Sequence, residues 1–439
     1  MFRLKRLYFS FGLFVIIVLL CLLIQNNTVA QTVSLSDKPT GFCMVDGTTT
    51  GGGDTEPATV SSFSELKSAV QGDSPRVIMV FGTIKTTDGG GYALEIGSNK
   101  TVIGADKDAT IYGGIAMKGV KNVIIRNLNF HGIFPNSGPD DAIAVRNSDH
   151  IWIDHCNIWD AGDGNLDITR ESNYCTVSWC KFYYTNSKNG HRLCALIGSG
   201  GGDHPEDWGK LKVTYHHNWF GELIKSRMPR LVYGHGHIYN NYYTSKGNSY
   251  CIGVGSYGAA LIENNYFKDV NNPHTFMYDV YCWITARGNA YENTGGKKDN
   301  GKGGKRDVGV PGWAFPVKEF AQAPYEYQLD KAEDVPALVS KNTGPQEIAK
   351  THTLRSAAGK NHRLFEFKQT KNILELGTTA SYVNVCVFSI DGKIVLTGRF
   401  SKNVSKSNIE IPLNGLSRGM YLVRMQINDI EESARINIL

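Results

Sequence analysis

The residues of this 439-residue chain best suited to chemistry fall into an acidic group and a cationic one. Asp141 opens the run DAIAV, while Asp163 and Asp167 flank Gly164-Asn165-Leu166. Three converging carboxylates repel one another unless a hard cation sits among them, and Ca²⁺ takes oxygen ligands of this sort. Spacing alone equally allows each acid to cap a turn. The cations lie in and near Leu211 to Arg230, LKVTYHHNWFGELIKSRMPR, where Met228-Pro229 separates Arg227 from Arg230. Proline fixes the backbone between these two guanidiniums, and planar cations suit a substrate rich in carboxylates. Arg192 stands a little upstream. A carboxylated sugar between a cation site and these arginines is the natural reading.

Other pairings carry less. Asp154-His155 is an acid–histidine pair with no nucleophile signature beside it, and strand alternation sends the two to opposite faces. A structural hydrogen-bonding role is expected there. His216 and His217 split in the same way, while His235 and His237 share a face without a third ligand. No CxxC pair supports a zinc site. The glycine-rich run Thr48 to Asp54 lacks the lysine and flanking strand of a phosphate loop.

The elements that must position these residues repeat. NVIIRNLNF (to Phe130), HIWIDHCNI (to Ile158), YCTVSWCKF (to Phe182), KVTYHHNWF (to Phe220), HIYNNYY (to Tyr243), LIENNYF (to Phe267) and WITARGNAY (to Tyr291) align on their last large apolar residue. The intervals are 28, 24, 38, 23, 24 and 24 residues. A strand-bearing repeat of this period predicts a solenoid, an all-β parallel β-helix. Two residues before each anchor the column reads Leu128, Cys156, Cys180, Asn218, Asn241, Asn265, Asn289, and the asparagines predict a ladder of side-chain amides from coil to coil. Cys156 and Cys180 are neighbours in that column, as a thiol stack or a disulfide. A second column, DAIAV (141–145), NLDIT (165–169), CALIG (194–198) and PRLVY (229–233), carries the acids and Arg230. The longest interval holds the loop Ser199 to Gly209, and extra length on one face of a solenoid marks a binding face. Ser61 to Val70 reads as a helix capped by Ser62 with Glu65 three residues on, and Arg76 to Thr83 as one strand.

Residues 1–30 read as an export signal, with Arg3, Lys5 and Arg6 before the apolar run Leu7 to Ile24 and small residues before a cut near Gln31. The alternative is an uncleaved anchor. Removing the signal takes three cations from the formal net charge of +5 and leaves +2, too small an excess to indicate a nucleic-acid partner. Residues 31–348 are then the β-helix, with Lys297 to Arg306 a solvated basic loop and 311 to about 348 a strap closing the helix end. Residues 349–360 form a linker, and 361–439 a small antiparallel β-sandwich with a hairpin on Asp391-Gly392.

Between about residues 40 and 348 the sequence resembles the calcium-dependent pectate lyases, polysaccharide lyases with a right-handed parallel β-helix. The resemblance rests on TTGGGDTEPATVSSFSELKSAV, NVIIRNLNF, DDAIAV, WIDH at 152–155, DGNLDI at 163–168, ALIG at 195–198, and VTYHHNWF followed by RMPR. It implies a secreted, monomeric enzyme that cleaves polygalacturonate by β-elimination. Asp141, Asp163 and Asp167 match calcium ligands, Arg227 matches the base, and Arg192 and Arg230 become substrate contacts. The chain departs from the family pattern twice: Leu193 stands where many members carry a lysine, and Val232 where many carry a second arginine. A pectin lyase acting on methyl-esterified chains and a non-catalytic β-helix that binds carbohydrate are the rival readings. The last 80 residues, with VFSIDGKIVLTG and IEIPLNGLSRGMYLVRMQ, resemble the C-terminal sorting domains of the type IX system. That implies contact with an export machinery.

Overall fold

The structure is a computed structural model that describes residues 37–86, 93–133, 141–199, 204–307, 317–347, 366–370, 373–377, 381–389, 394–402, 408–427 and 430–438. The expected export signal and the 349–360 linker lie outside these residues. The chain divides into two units, Met1–Ile348 and Ala349–Leu439.

The first unit is a parallel β-solenoid built on three sheets of eleven, eight and nine strands. The long sheet carries the strands that precede each repeat corner, among them Lys121–Arg126, Asp149–Asp154, Asn173–Ser178, Lys212–His216 and His235–Tyr239. The second sheet, here the site sheet, includes Gly114–Lys118, Ile143–Arg146, Gly164–Thr169, Leu193–Ile197, Arg230–Val232, Ile252–Gly255 and His274–Met277. The third follows each corner with short strands such as Asn157–Trp159, Lys181–Tyr183 and Trp219–Phe220.

Each repeat segment is two strands and a corner, as in Lys212–His216 and Trp219–Phe220. One residue per coil turns the corner with a positive φ: Asn127 (56°), His155 (48°), Trp179 (51°), His217 (56°), Asn240 (51°), Asn264 (48°) and Gly288 (65°). Asparagine and glycine are the residues that tolerate this region most readily. The ladder residue comes next and points inward. Asn218, Asn241, Asn265 and Asn289 are linked Nδ2 to Oδ1 at 3.0 Å per step, and Oδ1 of Asn241 also accepts from the Asn218 backbone N–H at 2.9 Å. Higher in the column Cys156 and Cys180 are free thiols, so the pair is a stack rather than a disulfide, and all eight cysteines among the described residues are free.

Inside, the anchor residues stack coil on coil, Phe182 to Phe220 at 5.3 Å, Phe220 to Tyr243 at 4.8 Å and Tyr243 to Phe267 at 4.4 Å between ring centroids. Burying each such ring stabilises the stack by about 2–3 kcal/mol. The helix Phe63–Val70 has the expected capping box, Ser62 accepting from the Glu65 amide and the Glu65 carboxylate accepting from Ser62 N–H. Arg76 to Thr83 is two strands, Arg76–Val80 and Thr83–Lys85, because Gly82 at φ 65° turns the chain between them.

Two other expectations are corrected. The basic loop is not merely solvated: Gly301–Gly303 pairs antiparallel with Cys282 to Ile284 and extends the long sheet. The described part of the strap, 317–347, runs along the outer face of the long sheet rather than over the helix end. Phe320 stacks on His235 at 5.0 Å, Tyr325 Oη meets Thr214 Oγ1 at 2.7 Å, Asp330 meets His217 at 2.7 Å, and Gln346 N–H donates to Asn127 at 2.7 Å.

The second unit is a sandwich of a three-stranded and a four-stranded antiparallel sheet around one apolar core that includes Leu376, Ile411, Val385, Val423 and Ile436. Its strands Tyr382–Ser389 and Ile394–Ser401 pair antiparallel, as the hairpin reading requires.

Candidate active site

The parallel register of the site sheet assembles the acidic residues. Ile143 pairs with Leu166 and Leu166 with Ala195, so their neighbours line up from coil to coil. On the outward face Asp167 pairs with Leu196, Leu196 with Arg230, and Arg230 with Gly253. At about 4.8 Å per step this sets Asp167 and Arg230 about 10 Å apart along one column.

Asp141 sits just before its strand, and its Oδ1 accepts from Gly164 N–H of the next coil at 3.0 Å. Asp167 Oδ1 accepts from Leu196 N–H at 3.1 Å. Both oxygens crowd the same glycine: a Cβ on Gly164 would lie 2.4 Å from Asp167 Oδ1 and 3.1 Å from Asp141 Oδ1. Gly164 therefore makes room for two carboxylates to share one place. Burial raises the Asp167 pKa well above the ordinary carboxylate value; Asp141 and Asp163 add to the rise, and Arg227 opposes it.

Asp163 is the most exposed of the three acids, and His191 Nε2 stands 2.7 Å from its Oδ1. Arg146 lies 3.6 Å from Asp141. Among the described residues no three His, Cys, Asp or Glu side chains close into a ready-made metal group. The acids are neighbours whose charges interact, with Asp163 drawn toward His191.

Arg227 occupies a left-handed turn at φ 62°. Long side chains rarely adopt that region, and such outliers concentrate at functional sites. The turn is held from both sides: Ala195 N–H donates to Arg227 O at 2.7 Å, and Met228 N–H to Cys251 O at 2.8 Å. Arg230 opens the next strand, and its Nε is buried without a hydrogen-bond partner. Neither arginine makes an ion pair among the described residues.

Arg192 is placed differently. Its Nε donates to Leu223 O at 2.8 Å and its Nη1 to the carbonyls of Ser187 and Asn189, so most of its fork ties down its own loop. Leu193 pairs with Gly164 on one side and bridges to Ser226 on the other. Val232 is fully buried, and a Cβ on Gly198 would meet its Cγ2 at 2.5 Å. The position where the resemblance implies an arginine is therefore a packing position here.

Sequence reasoning missed Gly164, His191 and Tyr250. The DGNLDI run contains Gly164, and its place between two acids was the available signal; the other two are adjacent to the acids and arginines only through the coil register. Backbone bonds from Ser249 N–H to Lys225 O (2.7 Å) and from Gly253 N–H to Pro229 O (3.0 Å) zip Tyr250 alongside the Arg227 turn.

The expected structural role of Asp154-His155 holds, but not its geometry. His155 turns a corner, so its ring returns to Asp154, with Nδ1 2.7 Å from Oδ2. Arg126 Nε donates to the same oxygen at 2.8 Å and Ser178 Oγ to Oδ1 at 2.6 Å. His217 likewise turns back, its Nδ1 2.9 Å from that of His216. His237 is bound by Tyr325 Oη at 2.6 Å and Glu263 at 2.9 Å. A cleft of about 830 Å³ against Trp179, His216, Tyr239 and Asp330 lies on this face, away from the acids.

The chain is similar to known proteins. The pectate lyase family profile matches residues 15–346, and a secretion-system C-terminal sorting domain matches 370–438. A pectate trisaccharide-lyase of Thermotoga maritima is 39% identical over 246 residues, covering 53% of this chain, and the chain spans 65% of that protein. Pectate lyase A of Emericella nidulans is 33% identical over 327 residues, 73% of this chain and 90% of that protein. Among solved structures a thermostable pectate lyase superposes with a TM-score of 0.57 at 23% identity, covering 70% of this chain and 97% of its own. With its solenoid matched over most of its length, the chain belongs to the pectate lyase family and ends in a secretion-system sorting domain.

Proposed function

We propose that the protein is a secreted, calcium-dependent pectate lyase that cleaves α-1,4-polygalacturonate by β-elimination and leaves unsaturated oligogalacturonates. The observation that carries this reading is an outward face with acids crowded at one end and, at the other, two guanidiniums that make no ion pair among the described residues.

The acidic residues fit a hard cation. Asp141 and Asp167 converge over Gly164, and the raised pKa of Asp167 marks carboxylates in need of positive charge. Asp141, Asp163 and Asp167 would hold the ion, and His191 would release Asp163 to it. When bound, calcium withdraws charge from the uronate carboxylate and makes the C5 proton more acidic.

The arginines do the rest. Arg230 offers its buried, unpaired Nε to a substrate carboxylate, and Arg227 takes the C5 proton. The C5–H electron pair becomes the C4=C5 double bond, and the C4–O4 bond breaks toward the leaving sugar. A guanidinium is ordinarily too basic to be found neutral, so the reading leans on calcium making the C5 proton more acidic. Arg192 is left to order the 187–192 loop.

The test is product formation from polygalacturonate and from highly esterified pectin, with and without chelator, followed by the absorbance of the C4=C5 product. Product from polygalacturonate that disappears with chelator is expected. Chelator-resistant product from esterified pectin would replace this reading with a pectin lyase, and no product from either would replace it with a binding protein. The sorting domain supports export through the type IX machinery; deleting residues 361–439 should leave the protein inside the producing cell, and unchanged release would refute that role.

A further inference from the structure

Arg227 and Arg230 stand close together, and no carboxylate among the described residues pairs with either. Like charges need something between them. The backbone bonds that zip 249–253 against 225–229 put Tyr250 beside this pair, abreast of Ser226 and Arg227. Its ring lies on Gly253, the register partner of Arg230: a Cβ on Gly253 would meet Tyr250 Cε2 at 2.8 Å and Met277 Cγ at 2.9 Å. Gly253 has no positive φ, so its bareness serves space rather than backbone freedom. Tyr250 thus sits on the next coil, beside the turn that carries Arg227 and over the register partner of Arg230.

We propose that Tyr250 is a positioning residue: a neutral wedge, seated by Gly253, that holds the two guanidiniums in place while giving neither a counter-ion. A carboxylate at this point would capture both forks in charge-assisted hydrogen bonds and compete with the substrate. A phenol excludes water and leaves the cations to a uronate. Burial keeps the Tyr250 hydroxyl protonated, outweighing the pull of Arg230 and Arg227 toward ionisation.

This inference rests on the elimination reading, and wild-type activity on polygalacturonate separates the two. Without it the functional reading fails, whatever the Tyr250 variants do. Given wild-type activity, Tyr250→Phe keeps the wedge and should retain kcat/KM within about threefold, whereas Tyr250→Glu should lose about 100-fold, with KM raised as well as kcat lowered. Tyr250→Gln matches Tyr250→Glu in size without its charge and should recover most of that loss. Gly253→Ala should displace the ring, and combining it with Tyr250→Ala should cost no more than Tyr250→Ala alone. Equal losses in Tyr250→Gln and Tyr250→Glu, or a Tyr250→Phe loss as large as that of Tyr250→Glu, would overturn the proposal. So would additive effects of Gly253→Ala and Tyr250→Ala. Thermal melts of each variant confirm that folded proteins are compared.

Discussion

The same coils present two outward faces that treat charge in opposite ways. On the long sheet Asp154 is buried to 1% exposure, yet Arg126, His155 and Ser178 all bond it, and Arg126 also pairs with Asp37 at 3.0 Å. Burial alone would raise its pKa, but His155 and Arg126 prevail and hold the carboxyl well below the usual range. On the site sheet Asp167 is almost as buried, at 8% exposure, and there burial raises its pKa, with Asp141 and Asp163 adding to the rise and Arg227 only opposing it. One face spends its charges on the fold. The other crowds like charges together, Asp141 and Asp167 over Gly164, and that difference marks the site better than burial or residue type does.

Substitutions should expose the contrast. The largest effect is expected from Arg227→Lys, which keeps the charge but replaces the fork: kcat should fall by about 10³-fold with the melting temperature unchanged. Full activity in that variant would remove Arg227 as the base. Next, Asp154→Ala strands Arg126 and His155 in a buried place and should cost about 3–5 kcal/mol in denaturant unfolding. Specific activity of the folded fraction should be retained. Asp167→Asn should do the reverse. A carboxyl with a raised folded pKa binds its proton more readily folded than unfolded, so its charge destabilises the fold as pH rises above the ordinary value. The variant should melt roughly 2–4 °C higher without calcium, lose the stabilisation that calcium gives the wild type, and lose activity. A lower melting temperature without calcium would show that the acidic site is already compensated.

The strap provides a subtler probe. His216, His235 and His237 behind it have pKa values lowered by burial, reinforced at His216 by His217 and at His235 by Lys212, and opposed at His237 by Glu263. A histidine whose folded pKa is depressed keeps its full stabilising effect above 6.5 and loses it as pH falls, because the unfolded chain takes up protons first. The melting temperature should therefore drop between about pH 6.5 and pH 5, and His237→Gln should flatten that drop. An unchanged slope would take these histidines out of the linkage.

Much of this was legible in the sequence because a solenoid converts sequence period into spatial adjacency. The 23- and 24-residue spacing of the asparagines was enough to infer a ladder that the structure builds at 3.0 Å per step. The second column put Asp141 and Asp167 on neighbouring coils in the same way, though spacing alone left turn capping equally open. What could not be read were the corners. Strand alternation sent His155 and His217 away from their neighbours, whereas a left-handed residue at each corner folds both rings back. The commitment of Arg192 to the carbonyls of Ser187, Asn189 and Leu223 depends on a local chain path that no period encodes. The strap was also misplaced, since its tyrosines and Asp330 meet histidines more than eighty residues away in sequence.

The central claim is that the carboxylates crowded over Gly164 hold calcium for an elimination. Its most direct measurement is the absorbance of unsaturated product when the full chain acts on polygalacturonate, first with chelator and then with calcium restored. The account predicts no product in chelator, recovery on adding calcium, and no recovery in Asp167→Asn. Product formed at the same rate in chelator, or undiminished in Asp167→Asn, would contradict it.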